Sequence, residues 1–326
     1  MPDRVMASAR NVAMVLDQFQ DRLAEAGLEV FFPESKSPAL TEEELLRQLP
    51  GCFASIAMPD DYNSRVIAAC APGLKLIARS GVGYDSIDVA AARAHGVWVT
   101  TTVGSNHDAV ADFAFGLILD LARRISHINQ QTKAGVWQRF AGFELRGKTL
   151  GIVGTGRIGR EVAARAAPFG LRVVAYDVYP NHEWATGAGA SYVSLDDLFA
   201  QADVITLHAP STPETRHLVN AERLARAKHG VFVVNTARGE LIDEPALLAA
   251  LESGHAGGAA LDVFASEPPV ESERPLIAHP SVIATSHCAG AAVEAQRRAA
   301  EMALEEVLRV RRGERPLALV PELTAG

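Results

Sequence analysis

The chain has 326 residues, 48% hydrophobic and 21% charged, an ordinary globular composition with length enough for two domains of normal size. A net charge of −8 excludes the basic face that nucleic acid or an anionic membrane surface would need. Three cysteines without metal-type spacing, an N-terminus without a signal-peptide core and the absence of any membrane-length apolar run point to a reducing, cytoplasmic setting with no bound metal.

Up to residue 101, apolar runs alternate with polar helical stretches. Strands are expected at 11–16, 52–58, 74–78 and 97–101, with helices such as 42–49 and 63–69 between them. That alternation is the mark of a parallel α/β sheet with crossover helices. A long helix follows at 108–125. Its apolar residues are too continuous for one exposed face, so it is expected to be buried between domains or subunits.

From residue 149 the alternation starts again. Strands are expected at 149–153, 172–176, 204–207, 231–235, 259–261 and 281–284, with helices at 157–167, 195–200 and 244–253. Six strands in this order fit a complete doubly wound sheet. After Gly290 a last helix runs to about Arg312, with Gly313 as its C-cap. Because it begins after that sheet is complete, it is expected to return to the first domain. The expected fold is therefore α/β with two Rossmann-like or flavodoxin-like domains. A doubly wound, cofactor-binding domain (102–289) is inserted into a discontinuous one (1–101 and 290–326).

The strand at 149–153 leads into "GTGRIG", with Gly154, Gly156 and Gly159 at dinucleotide spacing. Gly154 permits the tight turn, Gly156 lets a pyrophosphate approach the backbone, and Gly159 lets the helix pack closely on the strand. Arg157 and Ile158 open that helix, whose N-terminal N–H groups suit phosphates. The next strand ends at Asp177, where a carboxylate accepts from the adenosine ribose hydroxyls. Val178, Tyr179, Pro180 and Asn181 supply no Arg for a 2′-phosphate, so NAD is expected rather than NADP.

Ligands of open α/β sheets bind outside the carboxyl ends of the strands. Arg238 stands just past one such end in "NTARGELID", Asp262 and Glu267 past the next in "ALDVFASEPP", and His287 past the last in "IATSHCAG". The set suits hydride transfer to a carbonyl. His287 would protonate the oxygen, Glu267 would favour the imidazolium and fix the ring, and Arg238 would hold an adjacent carboxylate. Gly239 is read as letting the backbone pass close to the nicotinamide.

With these motifs together, the chain resembles the D-isomer-specific 2-hydroxyacid dehydrogenases, phosphoglycerate dehydrogenase and glyoxylate/hydroxypyruvate reductase among them. The resemblance covers nearly the whole chain and is strongest over residues 74–290. "ELRGKTLGIVGTGRIGREVA" looks like the family's cofactor signature, and "HAPSTPETRHLV", with His208, Pro210 and Thr215, like its adenine-side loop. The resemblance implies Arg238, Glu267 and His287 as catalytic residues. It puts Asp262 near the nicotinamide amide and Thr236, Ala237 and Pro210 along the cofactor. "RSGVGYDSIDV" resembles the loop whose amides at Ser80, Gly81 and Val82 hold the substrate carboxylate, Val82 also touching the cofactor. The family further implies a homodimer with the long helix in its interface, and a substrate-binding role for the discontinuous domain. Ser286 replaces the usual Pro before the His, a turn change. With Gly326 as the last residue, the regulatory C-terminal domains of some members are expected to be absent.

The function expected is NAD-dependent hydride transfer between nicotinamide and a small D-2-hydroxy acid or 2-keto acid, of the glyoxylate/hydroxypyruvate reductase kind. D-3-phosphoglycerate dehydrogenase and a non-catalytic NAD-sensing interaction protein are the alternatives. Against a phosphorylated substrate, "ASIAMPDDYNSR" places Ala57 and Asp61 where cations are expected, with Asp60 as a second negative charge. Arg79 and Arg139 are the cations that could substitute. Whether Asp60 and Asp61 face the site or simply water stays open at this level.

Overall fold

The computed structural model describes residues 2–35, 39–71 and 73–324. Residues 1, 36–38, 72, 325 and 326, which fall in the two expected substrate-binding pieces, lie outside the described residues. Among the described residues there are twelve strands: β1 (Asp3–Ala7), β2 (Leu28–Phe31), β3 (Cys52–Ala57), β4 (Leu76–Arg79), β5 (Trp98–Thr101), β6 (Thr149–Val153), β7 (Arg172–Tyr176), β8 (Ala190–Tyr192), β9 (Val204–Leu207), β10 (Val231–Asn235), β11 (Ala256–Leu261) and β12 (Val282–Ala284). They form two parallel sheets in the order β2-β1-β3-β4-β5 and β12-β11-β10-β9-β6-β7-β8. The chain divides into two units, Met1–Asn106 with Ala291–Gly326, and His107–Gly290.

In the first unit the sheet is apolar on both faces, as a parallel sheet covered by helices must be. Val5, Ala7, Ile56, Leu76 and Ala78 pack with Val12, Phe19 and the last helix (Val293–Arg311) through Ala300, Leu304 and Val307. Met6, Ile77 and Val99 point the other way, toward Leu45 and Val66. The last helix ends at Arg312 and Gly313, whose φ of +77° suits glycine. The strand expected at 11–16 is not there. Arg10–Met14 is a 3-10 turn and Leu16–Glu25 a helix, while Asp3–Ala7 supplies the strand and pairs with both β2 and β3. Val12, Val15, Phe19 and Leu23 are all buried. Their three- and four-residue spacing is that of a helix face, which overrides the short apolar run.

In the second unit β6 adjoins both β7 and β9, so the strand order reverses beside it, as in a doubly wound sheet. A seventh strand, β8, extends the six expected. Only three residues long, it carries no apolar signature and takes its register from β7. The long helix runs His107–Arg123 and stops at Arg124, whose φ is +57°. Ala111, Ala114, Phe115, Ile118 and Leu121 join one buried cluster with Leu150, Val162, Val234 and Ala260. Its apolar continuity thus has its cause inside its own unit. No helix among the described residues is long and apolar enough to cross a membrane.

Candidate active site

Every cofactor and catalytic residue expected in the second unit stands at the carboxyl end of a strand of its sheet. The glycine loop follows β6, Asp177 follows β7 and His208 follows β9. Thr236, Ala237 and Arg238 follow β10, Asp262 and Glu267 follow β11, and His287 follows β12. Because β10, β11 and β12 are neighbours, Arg238, Glu267 and His287 leave three adjacent strands.

Gly154 has φ +91°, and a Cβ there would come within 2.6 Å of the His208 carbonyl oxygen. A Cβ on Gly159 would overlap the Gly154 carbonyl, so the helix Arg157–Ala166 can lie this close only with glycine. Gly156 faces open space. At the neighbouring strand ends, two buried polar atoms have no hydrogen-bond partner among the described residues: Thr236 Oγ1 and His208 Nδ1. Burial pushes His208 down to about 3, so its ring is neutral. A cradle without side chains, free helix N–H groups and unpaired polar atoms fit a dinucleotide.

The Asp177 carboxylate is oriented from below. Oδ2 accepts from Thr155 N at 2.6 Å and Thr155 Oγ1 at 2.9 Å, and Oδ1 accepts from Tyr179 N at 2.9 Å. Thr155 Oγ1 also meets the Tyr192 hydroxyl at 2.6 Å. Burial alone would raise this carboxyl, but the hydrogen bonds and the Arg160 charge outweigh it and hold Asp177 below the usual range. Thr155 and Tyr192 escape sequence reasoning, the first as a spacer within the glycine motif, the second because nothing local marks it. On the adenine-side loop, the Thr215 hydroxyl donates to the Pro210 carbonyl at 2.7 Å and so closes its own loop.

Arg238 is carried by a turn that Asn235 staples. The buried Asn235 side chain donates to Arg238 O at 2.8 Å and accepts from Ala237 N at 3.0 Å. Gly239 has a reason inside the chain itself. A Cβ there would overlap the Phe264 carbonyl and the Ala265 nitrogen, so glycine is required for the backbone after β11 to pass.

His287 Nδ1 lies 2.6 Å from Glu267 Oε2. That hydrogen bond raises the imidazole pKa above its ordinary value, against burial and the nearby Arg238 charge, with help from the charges of Glu267 and Asp262. Burial would raise Glu267, but His287 and then Phe264 N and Arg238 hold it low. His287 has φ +54°, a region costly for any residue but glycine. Asp262, only 1% exposed, holds it there. Its Oδ1 accepts from Thr285 Oγ1 at 2.6 Å and Cys288 N at 2.9 Å, Oδ2 accepts from Ala289 N at 2.8 Å, and its carbonyl accepts from His287 N at 2.8 Å.

In the first unit, the expected carboxylate loop follows β4. Ser80 N donates to Ala57 O and Gly81 N to Arg79 O, each at 2.9 Å, while the Val82 amide has no partner among the described residues. Asn11 Nδ2 fixes the Ser80 hydroxyl at 2.9 Å. The Arg79 guanidinium wraps the loop, donating to Ser80 O at 2.6 Å and Gly83 O at 2.9 Å. Ala57 is buried in the core. Asp60 is fully buried, not facing water. It accepts from Ser8 Oγ, Leu40 N and Met58 N at 2.5, 2.7 and 3.0 Å and so braces three loops. Asp61 and Arg139 are exposed.

Residues 115–289 match the family model described as "D-isomer specific 2-hydroxyacid dehydrogenase, NAD binding domain", more than half of the chain. This chain belongs to that family. A glyoxylate reductase of Korarchaeum cryptofilum is 37% identical over 86% of each chain. A D-3-phosphoglycerate dehydrogenase of Mycobacterium leprae is 44% identical over 81% of this chain, but the match spans 50% of that relative. The chain thus spans about half the length of the phosphoglycerate dehydrogenases it matches. The solved structure of the TT0316 protein from Thermus thermophilus superposes with a TM-score of 0.87 at 38% identity, covering 97% of this chain and 99% of that one. NAD is the cofactor of the second unit, and the two parallel sheets are the family's two-domain Rossmann arrangement.

Proposed function

We propose that the protein is an NAD-dependent D-2-hydroxyacid dehydrogenase that reduces a small, unphosphorylated 2-keto acid of the glyoxylate or hydroxypyruvate kind. The observation that carries this reading is the His287–Glu267 contact of 2.6 Å, on strands adjacent to Arg238 in an NAD-binding sheet. The glycine loop and Asp177 would hold NADH, which would supply the hydride. Arg238 holds the substrate carboxylate and polarises the neighbouring carbonyl. His287, charged through its bond to Glu267, gives its proton to the carbonyl oxygen. In the oxidative direction the neutral imidazole takes that proton back.

The substrate preference rests on the loop after β3. Residues 57–64 contain no Lys or Arg, and Arg79 is engaged with the carbonyls of its own loop. A phosphate dianion calls for such cations near its oxygens. Glyoxylate or hydroxypyruvate should therefore exceed 3-phosphohydroxypyruvate in kcat/KM in a panel assayed by NADH oxidation. The reverse order would make phosphoglycerate dehydrogenase the better reading, and no turnover with any keto acid would favour a non-catalytic NAD-sensing protein.

Cofactor choice follows from Asp177. An ionised carboxylate suits ribose hydroxyls and repels a 2′-phosphate. NADH should bind markedly more tightly than NADPH by fluorescence titration, and Asp177→Ala with Val178→Arg should narrow the gap. Tighter binding of NADPH to the unaltered protein would refute the ribose assignment. A homodimer is part of the same proposal. Trp137, 93% exposed, and Val136, 40% exposed, offer the apolar surface an interface would cover, and sedimentation tests it.

A further inference from the structure

The carboxylate that faces His287 stands on a segment without regular structure, between β11 and the 3-10 turn Glu271–Glu273. Backbone amides in such a segment need acceptors, and here carboxylates provide them. Phe264 N donates to Glu267 itself at 3.3 Å, and Ala265 N to Glu244 Oε1 at 3.0 Å. Ser266 N donates to Glu273 Oε1 at 2.9 Å, and Val270 N to Glu273 Oε2 at 2.7 Å. Glu273, only 6% exposed, therefore grips the segment on both sides of Glu267, one residue before it and three after. Glu244 opens the helix Glu244–Glu252 and reaches the segment from there.

We propose that Glu273 is a positioning residue for the reaction, its two-ended grip on Ser266 and Val270 holding the Glu267 carboxylate against His287 Nδ1. Glu244 is a single-ended support. Such a role extends the one proposed for His287 as proton donor and rests on it. The test, however, uses no substrate, so the two fail separately. The charged groups acting on His287 are Glu267, Asp262 and Arg238, and the pKa of His287 reports how closely Glu267 approaches. Burial, with the Glu273 charge, holds Glu244 above the usual carboxylate range against the Ala265 bond.

The experiment is an NMR titration of the His287 imidazole in the unaltered protein and in three variants, its resonance assigned by its loss in His287→Ala. Glu273→Gln sets an amide NH2 against one of the two backbone N–H groups. Glu273→Asp keeps the charge but is one methylene too short to reach both. Both should lower the His287 pKa, by up to about one unit, because the approach of an opposite charge is what raises it. Glu244→Gln keeps its carbonyl acceptor for Ala265 and should leave the titration in place. If Glu273→Gln does not fold, Glu273→Asp carries the test. An unchanged pKa in Glu273→Asp, or an equal fall in Glu244→Gln, would show a field effect of charge alone and overturn the proposal. Failure of the unaltered enzyme to reduce any keto acid, with the pKa shift intact, would instead count against the proposed function.

Discussion

His287→Ala should lower kcat/KM for keto-acid reduction by roughly 10² to 10⁴, the usual worth of a positioned general acid. The companion expectation concerns pH. The Glu267 hydrogen bond raises the His287 pKa, so the imidazolium persists to higher pH than in a free histidine. Reduction needs that imidazolium, so kcat/KM for reduction should be flat at lower pH and fall as pH rises through the raised value. Oxidation needs the neutral ring and should show the opposite limb. In Glu267→Gln the largest cause of the shift is gone, and the fall in reduction should move to lower pH. The measurement is a pH profile of kcat/KM in both directions, for the unaltered enzyme and for each variant. A Glu267→Gln profile superimposable on the original would separate Glu267 from His287 in function, despite their 2.6 Å contact.

The second large effect is expected at Asp262. Its carboxylate accepts from Thr285 Oγ1, Cys288 N and Ala289 N, at a position 1% exposed. Asp262→Ala leaves these donors unpaired, at about 1–3 kcal/mol for each donor that stays buried without water. It also leaves the His287 N–Asp262 O bond to hold the left-handed backbone at His287 without the side-chain braces on either side of it. The variant should lose about 3 kcal/mol or more of stability in chemical denaturation. Where still folded, it should lose activity on a scale approaching that of His287→Ala, since the loop carrying the proposed proton donor loses its three side-chain braces. Asp262→Asn, isosteric and still an acceptor through one oxygen, should lie between. Undiminished turnover in folded Asp262→Ala would mean that the loop holds His287 without this brace.

Much of the protein was legible in its residues because the signals are local. A strand, three glycines and a helix occupy one short stretch, and their order alone specifies a dinucleotide loop. The strands from Thr149 to Asn235 were readable to the residue in four cases, β6, β7, β9 and β10, because a strand buried on both faces is a short unbroken apolar run. Arg238, Glu267 and His287 could be placed at successive strand ends by counting along the chain. Where the local signal is shared by two structures, the reading failed. The run at 11–16 is apolar enough for a strand, but Asp3–Ala7 has the better partners in β2 and β3. Edge strand β8 is too short and too polar to announce itself.

What the residues determine by themselves is therefore the class of fold, the cofactor loop and which side chains leave the strand ends, because each depends on neighbours within a few positions. What only the tertiary structure decides is how those side chains are held, because each brace joins positions far apart in the chain. Thr155 and Tyr192 orient Asp177, Asp262 fixes the loop that carries His287, and Glu273 and Glu244 grip the segment that carries Glu267. Asp60, read from sequence as a charge facing either a ligand or water, is neither, since three loops converge on it and bury it. Gly239 is a glycine because the backbone at Phe264 crosses it. A hydrogen bond or a close crossing needs two groups within about 3 Å in space, and no periodicity along the chain encodes that distance.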